Sequence, residues 1–108
     1  MIPIEAKVVF YDFVRPEIRK LAMQMEQKFR LHDEERGNPF DLKMSYDDLL
    51  YFVDGRLEEE EDELYTAMGL LGNPCRPPSV VFLETADVCN FHLIRAIAYE
   101  KEWLKGLP

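Results

Sequence analysis

Leu57-Glu58-Glu59-Glu60-Glu61-Asp62-Glu63-Leu64 sets six consecutive acidic residues inside a helical apolar pattern. A run of this kind is ordinarily the solvated face of a helix. At roughly 100° per residue, however, Tyr46, Val53, Leu57, Leu64 and Leu71 share one stripe, and Glu60 falls close to its centre. Glu63 lies on one flank of the stripe and Glu61 on the other, whereas Glu58, Glu59 and Asp62 point mostly away. The run contains no basic residue for i,i+4 pairing, and Glu59 with Glu63 is a like-charge pair that costs the helix a few tenths of a kcal/mol. Carboxylates that face a core unpaired are costly enough to demand a cation.

The helix carrying the run begins at a capping box, Ser45-Tyr46-Asp47-Asp48, and is predicted to reach Leu71 before Gly72-Asn73-Pro74 closes it. A preceding helix runs from Pro16 to Leu31, with Ile18, Leu21, Ala22, Met25 and Phe29 as its apolar stripe. His32 to Pro39 then reads as a loop, since Gly37 and Pro39 both oppose helix propagation. After Pro77-Pro78, a third helix spans Ser79 to Leu104. The chain is therefore all-α, with three main helices in one domain over residues 1–108. Ile4, Ala6, Val8 and Phe10 alternate without a partner strand, and residues 1–14 are read as an arm or helical lead-in.

The third helix repeats the signature of the second. Val80, Leu83, Phe91, Ile94 and Ala98 form a stripe with Asp87 in the middle and Glu84 on its edge. Each helix thus offers one acid in its stripe and one beside it, three residues apart. A carboxylate-only donor set suits a hard cation, above all Mg²⁺, with Mn²⁺ as a substitute. Neither histidine joins the acids at a convincing spacing, and a di-iron centre would want Glu-x-x-His pairs. Cys75 and Cys89 lack CxxC spacing and read as reduced structural thiols rather than a zinc site.

Composition removes other classes. At 108 residues, 47% hydrophobic and 31% charged, the chain fits one globular domain, and no apolar run approaches the length that spans a bilayer. The net charge of −8 disfavours binding a nucleic acid polymer, which needs a basic stripe, but leaves a single nucleotide open once divalent cations reverse the local sign. The first residues lack a secretory pattern, which points to the cytoplasm.

Glu59-Glu60-Glu61-Asp62-Glu63-Leu64 and Glu84-Thr85-Ala86-Asp87-Val88 together resemble the EExxE(L) and ExxD motifs of MazG-like all-α nucleoside triphosphate pyrophosphohydrolases. Ala86-Asp87-Val88-Cys89-Asn90-Phe91 is similar to the ADVxNF segment of the branch that hydrolyses dATP and dGTP. Met25-Glu26-Gln27-Lys28-Phe29, followed by His32-Asp33 and Arg36-Gly37, resembles that branch's approach to its second helix. The tryptophan expected soon after the glycine is missing, with Phe40 in its neighbourhood. The resemblance implies Mg²⁺-dependent hydrolysis between the α- and β-phosphates of a nucleoside triphosphate, with a purine dNTP as the candidate substrate and Glu60, Glu63, Glu84 and Asp87 as metal ligands. Glu59 is then either a carboxylate standing behind the ligands or the group that orients the attacking water.

Candidate substrate contacts are Asn90, Arg95, Lys28, His32 and Arg36. Three have a plainer alternative: Asn90 an interhelical or solvent contact, Arg95 a surface pair with an acid, His32 a structural or solvent-exposed loop residue. Phe40, Tyr46 and Phe91 are candidates for stacking on a base, with Tyr46 read as core. Phe82, Val88, Leu93, Ile97 and Tyr99 add apolar surface outside the Asp87 stripe, which predicts a homodimer that completes a four-helix bundle, or a tetramer. Two other functions fit the same residues: a phosphoribosyl-ATP pyrophosphatase, and a non-enzymatic helical interaction module with an acidic surface.

Overall fold

Pro16 opens the first helix, α1, which runs Pro16–Arg36 in a computed structural model that describes residues 13–41 and 43–106 and, of Arg36, the backbone alone. Proline suits this position because its missing N–H would be unpaired in the first turn anyway. Helix α1 is longer than the sequence reading: His32 to Arg36 continue it rather than forming a loop. Glutamate and arginine are good helix formers, so propagation ends only at Gly37, whose φ of 75° lies in the left-handed region. The arm predicted over residues 1–14 lies, up to residue 12, outside the described residues.

A single 3₁₀ turn, Pro39–Asp41, follows. The second helix, α2, spans Tyr46–Ala67, and Ser45 caps it as predicted, its hydroxyl accepting the Asp48 N–H at 3.1 Å. Its C-terminus falls earlier than Leu71. Gly69, at φ 77°, lets Leu70 N–H reach the Tyr65 carbonyl at 2.9 Å, so the chain turns off the helix axis before Gly72. The third helix, α3, spans Pro78–Lys105 and places Pro78 in its first turn. Among the described residues the fold is three α-helices with no strand.

Helix α3 packs along α2 and also receives α1, whereas no described side chain of α1 is fully buried. The core is Leu49, Val53 and Leu57 of α2 against Ile94 of α3, with Phe29, Phe40, Val88, Phe91 and Ala98 closing around them. Phe40 reaches back from the 3₁₀ turn to Phe29, their ring centroids 5.2 Å apart and tilted by 60°. The stripe predicted for α1 is only half right: Leu21, Met25 and Phe29 are partly covered, but Ile18 and Ala22 are exposed. On α3 the buried residues are Ala86, Asn90 and Ile94; of the expected stripe, Ile94 is buried, Phe91 and Ala98 pack against the core, and Leu83 is exposed. No helix among the described residues is long and apolar enough to cross a membrane.

Candidate metal centre

Glu60 continues the buried line of α2 beyond Val53 and Leu57 and is only 5% exposed. Across the α2/α3 contact it meets Glu84 and Asp87, both partly buried. One carboxylate oxygen from each of the three lies within 4.8 Å of the others. Helical spacing explains the gathering. Glu84 and Asp87 are three apart, hence neighbours on one face of α3, and that face borders the buried line through Ala86, Asn90 and Ile94.

Glu63, one turn beyond Glu60, is solvent-exposed, yet its carboxylate is close enough to hydrogen-bond both Glu60 and Glu84. Of the four acids expected at one site, three therefore form a close set and the fourth borders it. Glu60 is pushed up to about 7, first by burial, then by the hydrogen bond and charge of Glu63 and the charge of Asp87, with Arg56 opposing. The Glu84 carboxyl is likewise raised, by burial first and by the charges of Asp87 and Glu63, against the pull of Lys28.

Oxygens without partners decide what the cluster can hold. Glu60 Oε2 and Glu84 Oε2 are buried and, with the neighbouring acids ionised, have no donor. Buried polar atoms are nearly always paired, so a cluster with two unpaired carboxylate oxygens is one that could hold a cation. Mg²⁺ binds oxygen at 2.0–2.1 Å and takes a few carboxylates while keeping waters. Glu60, Glu84 and Asp87 are a donor set of that chemical kind, and Glu63 lies at their edge.

Beside the acids lies a cavity of about 350 Å³, bordered by Glu60, Glu63 and Asp87. Lys28 lines it from α1 and pairs with Asp87 Oδ2 at 3.3 Å. His32 lines it too, from a helix rather than the expected loop. Its apolar walls include Phe29, Met44, Phe52, Phe91 and Ile94. No family model matches the chain, and no curated protein or solved structure matches it significantly.

The remaining expected residues separate cleanly. Asn90 is 5% exposed and donates to the Met25 carbonyl at 3.1 Å, tying α3 to α1, while its own Oδ1 is buried without a partner at the cavity. Arg95 turns away from the cavity to Asp54 at 3.2 Å and His92 Nδ1 at 2.8 Å, the surface pairing that stood as its alternative. Glu59 does not line the cavity and lies 2.6 Å from Arg56. The side chain of Arg36 lies outside what is described. Phe40 and Tyr46 line a separate groove of about 370 Å³ with Lys43 and Lys101, so Phe91 alone of the three aromatics borders the acidic cavity.

Sequence reasoning missed Arg56, Phe52 and Asp33, all of which line this cavity. Arg56 had a signal: it stands just ahead of the acidic run, three residues before Glu59 and four before Glu60. The absence of a basic residue within the run concealed the one at its edge, which supplies the pairing. Cys75 and Cys89 are free thiols apart from the cluster.

Proposed function

We propose that this chain is a Mg²⁺-dependent nucleoside triphosphate pyrophosphohydrolase that cleaves between the α- and β-phosphates, with a purine deoxynucleotide as the favoured substrate class. The observation that carries the reading is the orphaned Glu60 Oε2, buried next to Glu84 and Asp87 at the edge of a cavity with basic and aromatic walls. The resemblance of both acidic motifs to the MazG-like enzymes supports the same chemistry.

When bound, Mg²⁺ offsets the charge of a triphosphate and lowers the pKa of a coordinated water. Glu60, Glu63, Glu84 and Asp87 hold the ion. Lys28 and Arg56 place positive charge along the cavity wall, which a polyphosphate requires. Phe52 and Phe91 offer apolar faces for a base, and the free Oδ1 of Asn90 offers an acceptor. Exposed Tyr51, Leu70, Leu83 and Trp103 supply apolar surface for pairing two copies, as a homodimer requires.

Pyrophosphate release from a panel of dNTPs, NTPs and phosphoribosyl-ATP, with Mg²⁺ and then Mn²⁺, tests the reading. Turnover of a purine dNTP that is lost in Glu60→Gln and Asp87→Asn supports it. Preference for phosphoribosyl-ATP would transfer the chemistry to that substrate. An inert panel, with metal affinity untouched by either substitution, would leave an acidic interaction module.

A further inference from the structure

Arg56 sits on α2 with its guanidinium spread over three groups. Its Nη2 lies 2.9 Å from Glu60 Oε1, its Nη1 lies 2.6 Å from Glu59 Oε2, and its carbon stands 5.5 Å from the centre of the Phe91 ring on α3. Glu60 therefore spends one oxygen on Arg56 and keeps the other, Oε2, buried and unpartnered. A carboxylate on a long flexible stem would otherwise rotate so that either oxygen faced either way.

We propose that Arg56 is a positioning residue for Glu60: it binds Oε1, fixes the plane of the carboxylate and leaves Oε2 as the atom offered to a divalent cation. Glu59 takes part from behind by holding Nη1, and Phe91 supports the flat face of the guanidinium across the helix contact. The inference rests on the metal site proposed above, and extends it to a residue outside both acidic motifs. Partners of this kind, bound to a metal's ligands rather than to the metal, set ligand orientation and commonly change affinity ten- to a hundredfold.

Isothermal titration of the full chain with Mg²⁺ alone tests the assignment, with no nucleotide present. Arg56→Met is expected to weaken Mg²⁺ binding about tenfold or more, Arg56→Lys to restore part of the loss, and Arg56→Met added to Glu60→Gln to cause no further loss. Arg30→Gln, which removes the same charge from an exposed pair with Glu26, should leave the affinity as it was. Tighter binding in Arg56→Met would overturn the proposal by making Arg56 a competitor of the cation. Unchanged binding with a lower unfolding temperature would overturn it by making Arg56 structural only. Should Arg56→Met fail to fold, Glu59→Gln carries the test, since releasing Nη1 is expected to weaken Mg²⁺ binding severalfold, and an unaltered affinity there counts against the proposal. Wild-type protein that binds no Mg²⁺ would overturn the metal site itself, an outcome distinct from a wild type that binds and an Arg56 variant that binds equally.

Discussion

The ammonium of Lys28 lies 3.3 Å from Asp87 Oδ2, joining α1 to the acidic face of α3 with both side chains about three-quarters covered. This is the only ion pair between those helices among the described residues, and it neutralises one member of a cluster whose other members repel it.

Lys28→Met removes that counter-charge and leaves Asp87 beside Glu84 and Glu60. Metal-free protein is expected to lose about 1–3 kcal/mol of stability, because the remaining charge is left partly buried without a partner. Mg²⁺ should return most of the loss, and thermal unfolding with and without the ion measures both effects.

Glu60 gives stability a pH dependence whose sign follows from its raised folded-state value. With a folded pKa of about 7 against an ordinary 4.5, the folded state binds the extra proton, so this contribution is full below about pH 4.5 and is lost as pH rises through about 7. Metal-free protein should therefore become less stable from about pH 5 to pH 8, by on the order of 2 kcal/mol after allowing for solvent at the open cavity. Glu60→Gln should flatten that slope, stabilise metal-free protein at pH 8 and abolish the rise in unfolding temperature on adding Mg²⁺. Urea titrations across this range supply the measurement.

Asn90→Ala removes the donor that holds the Met25 carbonyl at 3.1 Å and opens space in a buried site. A cost of about 1–3 kcal/mol is expected. Hydrogen exchange should speed up in α1 more than in α2, because the lost bond is one that ties α1 down.

Gly69 and Gly72 both have positive φ, at 77° and 85°, but a Cβ at Gly69 would come 3.1 Å from the Asn73 carbonyl oxygen and 3.3 Å from Cys75, while Gly72 faces open space. Alanine at either position pays the left-handed backbone penalty of about 1 kcal/mol. Gly69→Ala should be the more destabilising of the two, and paired chemical denaturation curves would show it.

How much of this was legible in the sequence varies with the kind of interaction. Glu60 could be found because its register with Val53 and Leu57 is a property of one helix, and Ser45 because a cap needs only its own first turn. The end of α2 was misread because both glycines can leave a helix, and the choice between them depends on the close approach of Asn73 and Cys75. Arg95 pairs with Asp54, and Asn90 with Met25, across helices distant in sequence, where periodicity carries no information. Phe52 lies on the more exposed side of α2, so its place in the cavity depends on the segment after α1 folding over it.

All four acids of the candidate centre belong to the consecutive helices α2 and α3, whereas Lys28 and His32 arrive on α1. The α2/α3 pair holds the negative charge, and α1 completes the cavity wall with the lysine that relieves it. The proposed cation would therefore fasten α2 to α3, while Lys28 and Asn90 hold α1 to α3.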